Sequence, residues 1–389
     1  MVYATADGRT ETRLRLGMVG GGRGAFIGAV HRMALRLDDK AVLVAGAFSS
    51  DAERGRLSAE DLGIAAERSY PDFETMAQAE SAREDGIEAV IIVTPNHLHA
   101  PAAKAFLQHG IDVICDKPLS ATLEEAEELA QLAEKSGLVF AVTLNNTGYA
   151  MVREARAMVQ GGALGAIRIV RTEYIQDWLT QAIDAEGQKQ AEWRTNPARA
   201  GRSACLADIG VHAYSLAQFV TGMLPEAVAA DLTTFVPGRR LDDNAHVLMR
   251  YAGGARGVLI ASQVSPGNYN RLSLKVYGDK GGLEWHGHEP ELLRFARFGE
   301  PTRILTRGGA ALGPDAQSAS RMPAEHPEGY IEGFANLYVD AVSLIAARRR
   351  GAPKASFTVP TVQDGLAGMR FIEAAVDSHE AGGTWKTIS

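Results

Sequence analysis

The chain has 389 residues, too many for one ordinary hydrophobic core, so two domains are expected. A hydrophobic share of 46% with 22% charged residues is that of a globular protein, and a net charge of −7 argues against nucleic acid as a partner. No apolar run is long enough for a bilayer, the polar stretch Met1 to Arg13 lacks the apolar core of a secretory signal, and Cys115 and Cys205 show no paired spacing; a cytoplasmic protein with no membrane partner is expected.

Leu14 to Val19 reads as a strand that runs straight into Gly20-Gly21-Gly22-Arg23-Gly24-Ala25-Phe26-Ile27-Gly28. A helix follows, with Phe26, Ala29, Val30, Met33, Ala34 and Leu37 spaced as one buried face. Strand, glycine-rich turn and helix are the setting of a dinucleotide fingerprint, because glycines admit a pyrophosphate close to the backbone and the amides at the helix start meet its charge. Gly20-x-Gly22-x-x-Ala25 fits that pattern, while Gly24 and Gly28 allow a shifted register; the expected cofactor contacts are Gly20, Gly22, Gly24, Ala25, Phe26 and Ile27. Ala41 to Phe48 is the second strand. Where an NAD-binding chain commonly ends that strand with an acid, Ser49 and Ser50 stand here, with Asp51 beyond and Arg54 after it. Small hydroxyls and an arginine suit the 2′-phosphate of NADP. The competing reading makes Ser50 and Glu53 a helix capping box and leaves Arg54 solvated. The expected cofactor is therefore NAD or NADP.

Glu88 to Val93 is a continuous apolar strand ending in Thr94-Pro95-Asn96-His97-Leu98-His99, with Thr94, Pro95, Asn96 and His99 expected beside the cofactor. No cysteine or carboxylate cluster accompanies His97 and His99, so no metal is expected. Asp112 to Cys115 is the next strand, and it stops at Asp116-Lys117-Pro118. Proline removes a backbone donor and forces its predecessor into an extended or turn conformation, which aims Lys117 off the sheet at a strand end, where open α/β folds place ligands. Thr122 and Glu125 are expected to cap a helix to Ser136 closed by Gly137, and Val139 to Leu144 is counted as a sixth strand, with Asn145 just beyond it among the cofactor contacts. Strands alternating with helices predict an α/β fold opening with a parallel Rossmann domain over residues 1–146.

From Tyr149 the pattern changes. A helix over Met151 to Gln160 precedes strands at Ile167 to Tyr174, Val228 to Phe235, Ala245 to Tyr251, Arg256 to Val264, Leu272 to Tyr277 and Glu291 to Phe298. Residues 147–389 are expected to form an α+β domain with a largely antiparallel open sheet, its uncovered face pairing subunits into a homo-dimer or homo-tetramer. Gly299 to Gly329 reads as a long loop serving as a lid, and two final helices, near Tyr330 to Arg350 and Val362 to Ser378, are placed to pack back on the first domain. Within Leu206-Ala207-Asp208-Ile209-Gly210-Val211-His212, Asp208 and His212 are four apart and share a helix face, with Gly210 leaving room for a close-lying ligand.

These motifs together resemble the Gfo/Idh/MocA oxidoreductases, which include glucose–fructose oxidoreductase and inositol dehydrogenases. The resemblance runs through the Gly20 fingerprint, Thr94-Pro95-Asn96 with His99, Lys117-Pro118, Trp193-Arg194, Asp208-x-Gly210-x-His212 and Gly329-Tyr330-Ile331-Glu332-Gly333-Phe334-Ala335-Asn336. It implies an NAD(P)-dependent enzyme acting on a secondary hydroxyl of a cyclic sugar, a sugar derivative or an inositol. In that family the lysine after the fifth strand meets an Asp and a His of the second domain, with the substrate between them and the nicotinamide. Two departures stand out: Asp116 replaces the common glutamate before the lysine, and the turn before His31 is longer than usual.

Oxidising a secondary alcohol needs a hydride acceptor and a base for the hydroxyl proton. Histidine titrates near ~6.5 and lysine near ~10.4, so making lysine the base costs roughly 4 kcal/mol. His212 is the expected base, Asp208 fixes it and accepts a substrate hydroxyl, and Lys117 steadies the reacting oxygen; an exchange of roles between Lys117 and His212 stays open. Trp178, Trp193 and Tyr149 are candidates to stack on sugar faces as well as for core packing. Arg194, with Arg199 and Arg202 in the same run, suits either an anionic sugar or a brace for the cofactor domain. Two other activities fit the same residues: a glycoside hydrolase working by transient oxidation at C3, elimination, hydration and re-reduction, and a non-catalytic nucleotide-binding regulator.

Overall fold

The computed structural model describes residues 2–4, 10–352 and 358–389; residues 1, 5–9 and 353–357, among them part of the polar N-terminal stretch, lie outside it. The chain divides into two compact units, one made of Met1–Ser120, Glu124–Asn145 and Phe334–Leu366, the other of Ala121–Leu123, Asn146–Gly333 and Ala367–Ser389.

In the first unit, β1 (Val2–Ala4) and β2 (Thr10–Thr12) pair as an antiparallel ribbon. The main sheet has five parallel strands in the order β4-β3-β5-β6-β7: β3 (Leu14–Gly20), β4 (Ala41–Ala47), β5 (Ala89–Val93), β6 (Asp112–Cys115) and β7 (Phe140–Val142). Every residue of β5 and β6 is buried, as expected of parallel strands covered on both faces. Helices α1 (Phe26–Leu37), α2 (Ala52–Asp61), α3 (Phe73–Ser81), α4 (His99–Gln108) and α5 (Leu123–Ser136) alternate with the strands. Counting β7 as a sixth strand is wrong. The missing strand is reduced to one parallel bridge between Gly46 and Ser69, because Asp72 already caps α3 by accepting from the Thr75 amide.

The buried face of α1 also differs from the periodic reading. Phe26, Met33 and Leu37 are 69%, 51% and 43% exposed, while Gly28, Val30, His31, Ala34 and Leu35 are buried. The rotation is set by Gly28, where a Cβ would lie 2.4 Å from the Cα of Gly21. Close backbone approach outranks apolar spacing here.

The second unit is built on a nine-stranded sheet in the order β15-β14-β13-β12-β8-β11-β10-β9-β16. Its strands are β8 (Ile167–Ile175), β9 (Pro225–Thr233), β10 (Asn244–Tyr251), β11 (Arg256–Ser262), β12 (Arg271–Gly278), β13 (Gly281–His286), β14 (Leu292–Arg297), β15 (Arg303–Thr306) and β16 (Lys386–Thr387). β8 and β11 run parallel and the other pairings are antiparallel. Along β10, buried Val247, Met249 and Tyr251 alternate with exposed His246, Leu248 and Arg250, the signature of a sheet covered on one face. α6 (Ala150–Gln160) packs on β13 and β14. Two short helices, α7 (Lys189–Arg194) and α8 (Pro197–Ala200), lead to α9 (Val211–Thr221), which packs on β8, β11 and β12. The strand β13 has no counterpart among the strands read from the sequence because it opens with Gly281 and Gly282, and glycine pairs favour turns.

The expected lid over Gly299 to Gly329 is largely ordered structure: it contains β15 and α10 (Pro314–Ser318). The buried Arg307 guanidinium anchors it, donating to Glu291 at 2.7 Å, Glu328 at 3.1 Å and the carbonyls of Met322 and Pro323. The last helices, α11 (Tyr330–Arg349) and α12 (Val362–Glu380), each begin in one unit and end in the other. Arg348 and Arg349, in the last turn of α11, pair with buried Asp112 at 2.7 Å and with Glu88 at 3.2 Å. Among the described residues no helix is long and apolar enough to cross a membrane.

Candidate active site

The glycine-rich turn leaves β3 with positive φ at Gly20, Gly21 and Gly24. A side chain at Gly20 would come within 2.9 Å of the Val93 carbonyl, and one at Gly22 within 2.8 Å of the Phe48 carbonyl. Those glycines are demanded by packing. Gly24 faces open space within 4 Å, so it lines the open side of the turn, next to the exposed Phe26. No side chain caps α1, whose N-cap is Ala25, and no acid sits in its first turn, which suits an anionic group there. At the strand ends Thr94 Oγ1 and Asn145 Nδ2 are buried with no hydrogen-bond partner. A backbone cradle, an uncapped helix start and two orphaned polar atoms fit a dinucleotide.

Other expected cofactor contacts have different work. His99 is fully buried, its Nδ1 2.7 Å from the Pro118 carbonyl and its Nε2 2.8 Å from the Thr94 carbonyl. Both neighbours are carbonyl oxygens, and burial favours the neutral ring with its single N–H, so His99 donates to one of the two strand-end loops. At the end of β4, Asp51 caps α2 by accepting from the Arg54 amide at 2.8 Å, while the Ser49 hydroxyl accepts from the Asp51 amide. The Ser50–Glu53 capping box is therefore not formed; Asp51 is the cap, and Glu53 pairs with Arg56.

Lys117 follows β6, and its peptide bond to Pro118 is cis. Asp116 Oδ1 accepts from the Lys117 amide at 2.9 Å and from the Thr143 hydroxyl at 2.8 Å, fixing the chain where the lysine begins. Burial pushes this carboxyl up, but His31, Lys117 and His99 more than offset it and hold it below the ordinary carboxylate range. His31 is fully buried, with Nδ1 2.6 Å from the Tyr338 hydroxyl and its ring edge-on to Phe334. Burial drives that imidazole down to about 4. His31, Thr143 and Tyr338 were not singled out in the sequence. The one available signal was a histidine on a helix that must pack against a buried sheet.

Asp208 lies in a π-helical turn, Leu206–Gly210, which runs into α9. Such turns recur at functional sites. Buried Asp242 secures its start by accepting from the amides of Ala204 at 2.8 Å and Leu206 at 2.9 Å. Gly210 does not make room for a ligand: a Cβ there would lie 2.6 Å from Leu206 Cδ1 and 3.4 Å from Ala261, so this glycine serves packing on β11. Asp208 Oδ2 accepts from Gln263 Nε2 at 2.9 Å and from Arg194 Nε at 3.2 Å. His212 Nδ1 lies 3.2 Å from Asn146 Nδ2, and its ring is edge-on to Tyr174 at 6.0 Å. Tyr174 and Gln176 both donate to Asn270 Oδ1 at 2.7 Å, and Trp178 donates to Gln176 at 2.9 Å. Gln263, Asn146, Tyr174 and Asn270 were missed, since nothing local marks them.

Of the expected substrate contacts, Trp178 joins this polar string, and Trp193 carries the Arg194 guanidinium 4.3 Å above its ring. Tyr149 is core: its ring is buried against Trp285 at 5.3 Å, and a side chain at Gly333 would touch it. Arg202 is no anion receptor either, because Glu373, Asp377 and Glu380 already pair with it. Among the described residues no group of three or more His, Cys, Asp or Glu could hold a metal.

Residues 14–144 match the NAD-binding Rossmann fold of an oxidoreductase family, which makes the first unit an NAD-binding domain and the protein an oxidoreductase. Residues 152–284 match the GFO/IDH/MocA C-terminal domain, and the chain belongs to the Gfo/Idh/MocA family. It is 38% identical over 380 residues to the uncharacterized oxidoreductase YfiI of Bacillus subtilis (strain 168), covering 96% of each chain. An oxidoreductase of Sinorhizobium meliloti superposes with a TM-score of 0.88 at 51% identity, over 97% of this chain and 100% of that one. An inositol dehydrogenase homolog of Azotobacter vinelandii, complexed with NADH and myo-inositol, gives 0.90 at 37% identity over 97% and 98%.

Proposed function

We propose that the protein moves hydride between NAD and a secondary hydroxyl of a cyclic sugar, a sugar derivative or an inositol, with Lys117, Asp208 and His212 acting on the same hydroxyl. The observation that supports this most is the Asp208 carboxylate, held at one oxygen by Gln263 and Arg194 and placed four residues before His212. A carboxylate so restrained can accept a hydrogen bond from one substrate hydroxyl in a defined direction. When bound, NAD supplies the hydride acceptor. The relatives point the same way: the Azotobacter homolog was solved with myo-inositol, and a levoglucosan dehydrogenase of Pseudarthrobacter phenanthrenivorans is 28% identical over 306 residues, 73% of this chain and 76% of that one.

Two proton-transfer arrangements follow. In the first, His212 takes the hydroxyl proton at Nε2 and Lys117 hydrogen-bonds the reacting oxygen; Nδ1 must then carry a hydrogen, and Asn146 must turn its carbonyl toward it. The second is favoured by the amide nitrogen that faces Nδ1 at 3.2 Å. An amide N–H there makes Nδ1 the acceptor, so the neutral ring keeps its proton on Nε2 and donates to the substrate oxygen, and Lys117 takes the proton. NADP use would rest on Ser49, Ser50 and Arg54. The outer face of the nine-stranded sheet, with Ile169, Leu248 and Ile304 exposed, would be covered by a second copy in a homo-dimer or homo-tetramer, and two buried free cysteines suit a reducing cytoplasm.

A screen of inositols, free cyclic sugars and glycosides with NAD and with NADP tests the reading. Net reduction of the dinucleotide by at least one polyol is expected. Release of aglycone from a glycoside without net reduction of added NAD would overturn it in favour of the hydrolase chemistry.

A further inference from the structure

We infer that Gln263 is a positioning residue that holds the Asp208 carboxylate in the orientation the reaction uses, an inference that rests on the hydride-transfer reading above. Gln263 follows β11 directly and is 1% exposed. Its backbone is clamped on both sides, the amide donating to the Asp243 carbonyl at 2.9 Å and the carbonyl accepting from the Leu179 amide at 3.0 Å. The side chain therefore starts from a fixed point, and its Nε2 meets Asp208 Oδ2 at 2.9 Å. A buried primary amide left without a partner costs about 1–3 kcal/mol, so a glutamine at this depth needs one. The structure supplies a carboxylate.

Arg194 reaches the same oxygen from another element, at 3.2 Å from the end of α7. Its own side chain is held by Gln190 and stacked on Trp193. Two donors converging on Oδ2 from the end of an interior strand and from a separate helix restrict rotation of the carboxylate plane, which one donor alone would permit. They also divide the labour. The arginine brings charge, whereas the amide brings direction with no charge and no titration of its own. Titratable groups that interact with Asp208 include Arg194 on α7, Tyr174 on β8 and Cys205 before the π turn, and His212 follows four residues later on α9.

The experiment compares wild type with Gln263→Leu and Gln263→Glu as full-length proteins. Removing the donor with Gln263→Leu is expected to lower kcat about tenfold to a hundredfold, the size of a lost hydrogen bond to a charged group, with NADH affinity unchanged. Gln263→Glu should recover activity only at acid pH, where the introduced carboxyl is protonated and can donate, and lose it as pH rises and two carboxylates face each other. A purely structural glutamine would not produce that inverted pH profile. Wild-type kcat and pH profile in both variants, with melting temperature and NADH affinity retained, would overturn the inference. If wild type itself turns over no polyol, the hydride-transfer reading fails, and the carboxyl 13C titration of Asp208, assigned by its loss in Asp208→Asn, decides the brace. A midpoint moved to higher pH in Gln263→Leu supports it; an unmoved midpoint overturns it.

Discussion

The candidate cofactor residues of the first unit and the candidate substrate residues of the second treat their polar groups differently. At the strand ends of the first, Thr94 Oγ1 and Asn145 Nδ2 are buried and unpartnered, and the glycine-rich turn offers backbone rather than side chains. In the second, the polar side chains are tied to one another: Asp208 to Gln263 and Arg194, His212 to Asn146, and Tyr174 through Asn270 and Gln176 to Trp178. A dinucleotide is long enough to be gripped through many backbone contacts. A single hydroxyl proton must be met by one atom, and that atom's rotamer has to be held by neighbours.

Substitutions can break this contrast. The largest effect is expected on the backbone side. Gly28→Val would force α1 away from Gly21, so loss of NADH binding together with a stability drop of about 3 kcal/mol or more is expected, read by fluorescence titration and thermal melting. The next lies beneath Lys117. Because burial drives His31 down to about 4, the unfolded chain binds a proton between there and 6.5 that the native state excludes. Its contribution is therefore fully present above about 6.5 and is lost as pH falls toward 4, by about 3 kcal/mol in all. Asp116, held low by His31, Lys117 and His99 against its burial, acts in the same sense below the ordinary carboxylate range. Urea midpoints at neutral and mildly acid pH should differ in wild type, and the difference should shrink in His31→Gln, whose amide can still meet Tyr338. The smallest effect belongs to Arg202. Its carboxylate partners sit on a half-exposed surface, so Arg202→Ala should cost less than about 1 kcal/mol and leave KM for the substrate unmoved.

Much of the frame was legible in the sequence because its signals are local: the strand into Gly20, the strand that stops just before Lys117, and the change of pattern after Tyr149. What stayed hidden depends on distant partners. His31 is buried because Gly28 sets the helix rotation and Tyr338, 307 residues away, meets its nitrogen. Gln263 and Asn146 come from 55 and 66 residues away from the side chains they hold. Tyr149 and Arg202 look like ligand groups in one dimension and turn out to be satisfied by Trp285 and by three carboxylates of α12. Gly299 to Gly329 misled because composition registers glycine and proline but not a buried arginine that gathers Glu291 from before the segment and Glu328 from its end.

The most direct measurement is single-turnover reduction of NAD by the best polyol of the screen, in wild type and in Asp208→Asn, with NADH affinity determined on the same preparations. Equal NADH affinity with hydride transfer slowed by about a thousandfold is the predicted result. Equal transfer rates in the two proteins would contradict it.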